Sequence, residues 1–414
     1  MNFGILDVLH LVGALGLFLF GMTMMSEALQ KVAGNKMRAI LASMTKNRVL
    51  GVLTGVIVTS IIQSSSATTV MVVSFVNAGL LTLAESISVI MGANIGTTVT
   101  AWLVSLIGFK FSIADIAIPM IGFALIFIFS KNDRRKSIGE VMIGFALLFI
   151  GLEYLKNSVP DIKANPEMLH FLTEYTNMGY GSIILFLLIG TILTVIVQSS
   201  SATMAITLVM LSQGWITFEI GAAMVLGENI GTTITANIAG LTAKTNARRA
   251  ALSHTMFNVF GVVWMLVVFY PFMNLVEWMV GGNATDGANS LYALSMFHTM
   301  FNVTNTFIMI WLIKPLEKIV CKILPEKKEE NEFALKFIST GMLATGELSL
   351  IEAEKEIEVY AERTHRMFDE ARKLTLATYD DRNAQKYAER VAHYESASDQ
   401  TEGLYINIKK MRKS

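Results

Sequence analysis

"TSIIQSSSATT" runs from Thr59 to Thr69, and "TVIVQSSSATM" runs from Thr194 to Met204. Each sets a glutamine and three serines in the middle of an apolar run. Buried hydroxyls cost free energy unless they find partners, so a tetrad that occurs twice asks for a purpose. A shift of 135 residues lays Gln63 on Gln198, and the same shift lays "GANIGTTVTA" (Gly92–Ala101) on "GENIGTTITA" (Gly227–Ala236). Between Thr59–Ala101 and Thr194–Ala236, 18 of 43 positions are identical without a gap. Apolar segments match by chance at Leu and Val, not at Q-S-S-S-A-T and N-I-G-T-T with one spacing. The chain is an internal duplication. Further upstream, "GLFLFGM" (Gly16–Met22) and "ALLFIGL" (Ala146–Leu152) are weakly alike, which gives each repeat an opening helix.

The composition places these repeats in lipid. The 414 residues are 53% hydrophobic and 16% charged, against about a quarter charged in soluble domains. Mean hydropathy is +0.53. Apolar runs suited to spanning cover Leu9–Ala28, Glu85–Ile107, Ala114–Phe129, Ile138–Leu155, Glu219–Leu241, Ala250–Tyr270 and Leu291–Ile313. A span needs ~20 helical residues. Met1–His10 has no basic n-region, so the first run reads as a true span rather than a cleaved leader. Cys321 is the lone cysteine, which leaves no internal disulfide and no metal-site spacing. Net charge is zero, and nothing points to nucleic acid.

Topology follows from charge. Cytoplasmic loops collect Lys and Arg, and basic clusters fall at Lys31, Lys36, Arg38, Lys46 and Arg48, at Lys131 and Arg134–Lys136, at Lys244, Arg248 and Arg249, and from Lys314 onward. Putting these inside requires an even number of crossings between the first two, yet three apolar stretches lie there. The serine segment is the one that fails to cross. Its arms of ~14 and ~12 residues reach only ~20 Å each, so they enter, turn at Ser64–Ser66 and return. Ile183–Gln213 is read the same way. Seven crossings and two re-entrant hairpins then satisfy every basic loop, with the N-terminus outside and the C-terminus cytoplasmic. The fold class is an all-α integral membrane protein built from inverted repeats, each with a Q-S-S-S hairpin and a broken helix carrying N-I-G-T-T. Such repeats place a transport site at the midplane. The rival is a single long tilted span over Leu50–Ala78. The expected divisions are 1–136, 137–313 and a soluble helical region over 325–414.

The motifs suggest chemistry. A chain that turns inside a membrane needs protein or water to satisfy its polar groups. The hydroxyls of Ser64, Ser65, Ser66, Ser199, Ser200 and Ser201, with amides at the start of each returning arm, make an anion cradle. Gln63 and Gln198 add amide groups. Glycines beside Asn94 and Asn229 suggest unwinding that exposes carbonyls. Together with Thr97, Thr98, Thr232 and Thr233 these are hard ligands for a small cation. No Lys or Arg lies inside either repeat core, so a multiply charged anion depends on neutral donors, helix ends and co-bound cations. Glu228 stands where the first copy has Ala93, and either assists a cation, takes a proton or sits at an interface. "HTMFN" occurs at His254–Asn258 and at His298–Asn302. His and Asn four apart share a helix face, which suits interhelical packing through a hydrogen bond, or support behind a site. A lone serine in a membrane helix usually bonds its own backbone; a duplicated triple behind a glutamine does not read that way.

On Gln63–Ser66, Gln198–Ser201, Asn94–Thr98 and Asn229–Thr233, the chain resembles the type II sodium–phosphate cotransporter family in its bacterial form, over roughly Leu9–Ile313. The resemblance implies import of inorganic phosphate driven by sodium across the bacterial inner membrane, with phosphate and sodium contacts at the matching positions and no cofactor beyond the coupling ion. The second His–Asn motif is similar to the family's pattern, whereas Pro119–Phe123 holds the equivalent place in the first repeat. The tail from Pro325 shows helical periodicity over Leu348–Leu376 and is similar to part of a PhoU-type regulatory domain. Its other reading is a helix that pairs two copies into a homodimer. Competing functions are sodium-coupled transport of a dicarboxylate or sulfate, an anion channel, and an intramembrane hydrolase using Ser65 or Ser200 with His254 as base. No G-x-S-x-G is present, and hydrolysis has no use for two nucleophiles, so the chain is not expected to be an enzyme.

Overall fold

A computed structural model describes residues 5–43, 47–109, 113–158, 175–176, 178–281, 287–325 and 346–376. All regular structure among them is helical. In chain order come α1 (Ile5–Ser43), α2 (Arg48–Ile62), α3 (Ser65–Asn77), α4 (Leu83–Trp102) continued by a π-helical turn over Leu103–Gly108, and α5 (Ile113–Ile128). Next are α6 (Asp133–Ser158), α7 (Tyr180–Val197), α8 (Ser200–Ser212), α9 (Phe218–Gly231), α10 (Thr233–Gly240) and α11 (Thr245–Val267). Then follow α12 (Phe269–Val280), α13 (Gly287–Met309), a 3₁₀ turn, α14 (Ile313–Ile323) and α15 (Gly346–Leu376).

The duplication is written into the backbone. Gln63 and Gln198 are left-handed at φ 59° and 56°, and Gly79 and Gly214 at 65° and 74°. The Ser64 side chain accepts from Ala67 N and that of Ser199 from Ala202 N, capping α3 and α8. Thr82 and Thr217 cap α4 and α9 in the same manner, Thr82 within a full capping box with Glu85. Each pair is 135 residues apart, so the shared polar letters encode shared chain reversals.

Glycine contacts give the helix directions. A Cβ on Gly92 would lie 1.9 Å from Val52 O, and one on Gly96 would lie 2.7 Å from Thr59 Cβ. Residue numbers rise together along this contact, so α2 and α4 are parallel. In the second repeat a Cβ on Gly227 would lie 2.0 Å from Leu187 O and one on Gly231 would lie 2.6 Å from Thr191 O, so α7 and α9 are parallel too. Because α4 starts beside the start of α2, α3 must carry the chain back to the side from which α2 came. The hairpin follows from that geometry. By contrast α1 and α6 are antiparallel: Gly21 abuts Leu148, Gly144 abuts Met25 and Gly151 abuts Phe18. Opposed opening helices are the relation that an inverted duplication requires.

Five described helices are long and apolar enough to cross a membrane: Ile5–Ala33, Leu83–Gly108, Asp133–Ser158, Tyr180–Val197 and Thr245–Val267. Large apolar side chains face outward along the helices, among them Ile118, Phe123, Ile126, Ile196 and Val267, as a lipid-facing surface demands.

Several expectations are corrected. The first N-I-G-T-T is not in a broken helix: α4 runs through Asn94–Thr98, and only the second copy breaks, at Thr232 between α9 and α10. The glycines do not unwind the helix; they let two backbones meet where any Cβ would collide. The entering arm of the second hairpin is 18 residues, longer than expected. Glu219–Leu241 is divided between α9 and α10, and α5 is 16 residues long. The span read as Ala250–Tyr270 ends at Val267, and α12 starts at Phe269 with Pro271 in its first turn, where a missing amide costs nothing. Helix α15 touches the hairpin, since Lys355 Nζ donates to Gly79 O at 2.7 Å. Lys46 and most of the tail, with any homodimer contact there, lie outside the described residues, as do the side chains of Lys36 and Arg38.

Candidate functional site

Both Q-S-S-S turns open onto one cavity of about 350 Å³, lined by all eight residues Gln63–Ser66 and Gln198–Ser201. Its remaining wall is Val197 and α1, through Leu19, Met22, Thr23, Ser26, Glu27 and Gln30. Among the described residues no Lys or Arg lines it. The α1 wall was missed in the sequence, although Thr23, Ser26, Glu27 and Gln30 recur at helical spacing within an apolar helix. Ser26 Oγ donates to Ile62 O at 2.8 Å, which pins α1 against the last turn of α2 just before the break.

The serines are not equivalent. Ser64 and Ser199 accept the Ala67 and Ala202 amides with their side-chain oxygens, which leaves each hydroxyl proton available toward the cavity. The hydroxyls of Ser65 and Ser200, in the first turns of α3 and α8, make no hydrogen bond among the described residues. Ser201 donates to Thr100 Oγ1 at 3.3 Å, and Thr100 donates to Gln63 Oε1 at 3.0 Å. Gln63 Nε2 in turn donates to Ser60 O. This relay crosses from one repeat to the other and spends the single proton of Ser201, so toward a ligand Ser201 presents lone pairs. Ser66 Oγ and Thr232 Oγ1 approach to 3.4 Å, a second link between repeats.

The N-I-G-T-T residues do not line the cavity. Asn94 Nδ2 donates to Ile90 O at 2.9 Å and Asn229 Nδ2 to Val225 O at 2.8 Å. Thr98 and Thr233 turn their hydroxyls back to Ile95 O and Ile230 O. Thr97 is buried in α4. Glu228 is 1% exposed, and its Oε1 accepts from Thr207 Oγ1 at 2.7 Å. The first repeat has Ala93 and Val72 at the two corresponding positions, so the polar pair was placed together.

His254, Asn258, His298 and Asn302 are buried. The hydrogen bond expected between their helices is absent among the described residues. Asn258 Nδ2 donates to His254 O at 3.0 Å and Asn302 Nδ2 to His298 O at 2.9 Å, each within its own helix. The link is made instead by Asn305, whose Nδ2 donates to Phe257 O and whose Oδ1 accepts from Trp264 Nε1, both at 3.1 Å.

Paired helix starts around a polar cavity, in a duplicated membrane fold, set neutral donors where an anion can sit. The profile of the Na+/Pi-cotransporter family matches residues 17–157 and 164–297, and the chain belongs to that family. It is 27% identical over 353 residues to the putative inorganic phosphate export protein YjbB of Escherichia coli, covering 85% of this chain and 62% of that protein. It is 30% identical over 313 residues to YqeW of Bacillus subtilis, an uncharacterized protein, covering 75% of this chain and 96% of YqeW. A stretch of 105 residues is 41% identical to the human sodium-dependent phosphate transport protein 2B, covering 25% of this chain and 15% of that protein. The chain thus spans less than two thirds of YjbB. No solved structure matches it.

Proposed function

We propose that this chain is a sodium-coupled carrier of inorganic phosphate that works by alternating access. The observation that supports this reading best is the single cavity shared by two Q-S-S-S turns, one from each repeat. Two helix starts face it, with the open hydroxyls of Ser65 and Ser200 and the outward protons of Ser64 and Ser199. Helix N-termini and hydroxyl donors suit a tetrahedral oxyanion. Lone pairs at Ser201, Gln198, Asn94, Asn229, Thr97, Thr98, Thr232 and Thr233 supply the hard oxygen ligands that sodium takes. Inverted halves give the cavity two equivalent routes, one to each side of the membrane. We place the chain in the bacterial inner membrane, N-terminus outside and C-terminus inside, with one repeat over 1–136 and the second, together with a final span, over 137–313. An inward sodium gradient then drives import. The name of YjbB, a putative phosphate export protein, supports the opposite direction, so both orientations belong in the test.

Purified protein is reconstituted in vesicles and labelled phosphate flux is followed with sodium gradients of either sign. Flux that follows the sodium gradient, and fades when choline replaces sodium, is the expected result. Flux indifferent to sodium overturns the coupling. Sulfate or a dicarboxylate carried as fast as phosphate overturns the substrate.

A further inference from the structure

Helix α14, which follows the last long helix of the bundle, is tied down at both ends. Arg48 Nη1, at the start of α2, donates to Ile310 O at 3.4 Å. Arg249 Nε, near the start of α11, donates to Leu324 O at 2.9 Å. These two carbonyls flank α14 and lie about 20 Å apart along it. Asn77 Oδ1, at the end of α3, accepts from Lys244 N at 2.9 Å, just before α11. Because α3 returns to the side from which α2 came, α2, α11 and both ends of α14 meet at one face of the bundle. A helix held at both ends to that face lies along it rather than across a bilayer.

The sequence of α14 falls into three stripes. Ile313, Leu316 and Val320 are buried and belong to the same apolar cluster as Leu83 and Ala250. Leu312, Ile319 and Ile323 are apolar yet exposed. Lys314, Lys318 and Lys322 are exposed and four apart, which makes them one ridge on the helix. At ~100° per residue the exposed apolar stripe falls between the buried stripe and the lysines, and Glu317 falls on the other flank. The three ammonium groups make no ion pair or hydrogen bond among the described residues. At the start of α4, which α14 also contacts, the Glu85 carboxylate is already held by Thr82 N and Oγ1, at 2.8 and 2.7 Å. Trp311, 72% exposed, stands where α13 gives way to α14, and tryptophan at the end of a span marks the membrane–water interface.

Water has no use for the exposed leucine and isoleucines, and acyl chains have none for three ammonium groups. Both stripes are satisfied in the plane of the interface, where apolar side chains dip into the leaflet and lysine stems reach up to the headgroups. Unpaired charge of one sign on such a helix attracts headgroups of the other. We propose that α14 is an interfacial helix that binds anionic phospholipid, with the headgroup phosphate on the ridge of Lys314, Lys318 and Lys322 and the acyl chains against Ile319 and Ile323. None of these residues lines the serine cavity, and the proposal stands without the transport reading.

The test uses the full chain in vesicles made of equal amounts of phosphatidylcholine and phosphatidylglycerol, with one lipid or the other brominated on its chains. Quenching of Trp311, taken as the difference between the chain and its Trp311→Phe variant, reports which lipid stands at α14. Brominated phosphatidylglycerol is expected to quench more. That preference should fall about fivefold for each lysine replaced by glutamine, vanish in the triple glutamine variant and survive in the triple arginine variant. Equal quenching by both lipids in the unsubstituted chain, or a full preference in the triple glutamine variant, overturns the proposal. Should the triple variant not fold, Lys318→Gln alone decides by its fivefold drop. A preference abolished by inorganic phosphate at constant ionic strength makes the ridge a site for the free anion and overturns the lipid. A triple glutamine variant that melts lower in pure phosphatidylcholine has lost a protein partner of the ridge, α15 or a second copy, and overturns it as well.

Discussion

Gln198 offers a test whose sign runs against helix propensity. It is left-handed at φ 56° and ψ 23°, its backbone N–H donates to Thr194 O, and its side chain is exposed to the cavity without a hydrogen bond among the described residues. A residue with a Cβ loses ~1–2 kcal/mol in this conformation and glycine does not. Glycine gives back ~0.5–1 kcal/mol through the greater freedom of its unfolded chain. Gln198→Gly should therefore be more stable than Gln198→Ala by about 0.5–1 kcal/mol, or roughly 2 °C in melting temperature for a chain of this size. At exposed Ile192, inside α7, the order should reverse, because alanine is the better helix former. Gln63 should repeat the Gly-over-Ala order, with both variants below wild type because both lose the relay through Thr100. Thermal melts in detergent, read by tryptophan fluorescence, give all six values. An alanine variant at 198 as stable as the glycine variant would refute the left-handed turn. A glycine variant that is more stable but transports less would show why a glutamine is held where glycine would be at ease.

Two further perturbations separate roles that the sequence presents as alike. Ser65→Ala and Ser200→Ala should weaken phosphate binding by ~1.5–3 kcal/mol each, or roughly 10- to 150-fold in Kd. Ser64→Ala and Ser199→Ala should also lower melting stability by ~1 kcal/mol through the lost caps; wild-type phosphate affinity in both Ser65→Ala and Ser200→Ala would remove the serines from the site. Gly92→Ala and Gly227→Ala push a Cβ to 1.9 and 2.0 Å from rigid backbone oxygens, and overpacking of this kind costs ~1–3 kcal/mol or more. Gly13→Ala and Gly122→Ala meet nothing within 4 Å and should stabilise their helices by ~0.5–1 kcal/mol, so equal melting temperatures across the four would contradict the packing.

Polar residues in a greasy chain were the legible part. Each Q-S-S-S reads as a turn because its arms are short and the basic loops demand an even number of crossings; the structure adds that Ser64 and Ser199 cap the returning helices. What periodicity could not supply was the meaning of glycine. In an apolar helix the same letter serves for unwinding or for close approach, and only the partner decides. Gly92 meets Val52 across a gap of 40 residues that no local pattern reveals. The α1 wall was overlooked because hydropathy averages over a face: Thr23, Ser26, Glu27 and Gln30 are diluted by the leucines and methionines between them. The His–Asn repeats misled in the other direction. A shared helix face was correctly inferred, but each amide is taken by its own backbone, so the expected bond between helices is made by Asn305, which carries no motif.

Duplication makes electrostatic sense of a cavity without Lys or Arg. A helix start contributes roughly half a positive charge, so α3 and α8 together offer about one. A hydrogen phosphate dianion carries two, and Glu27 in the cavity wall adds to the deficit rather than relieving it. Neutral hydroxyls strengthen the cradle but bring no net charge. On the proposed reading the remaining balance enters with the substrate, as sodium held by oxygens committed to accepting, such as Ser201 with its proton given to Thr100. A lysine in the wall would bind the anion without help and remove the reason for coupling. If the chain carries phosphate as proposed, the charge missing from the cavity is what would tie phosphate to sodium, and flux surviving in choline would mean that the protein neutralises its substrate in some other way.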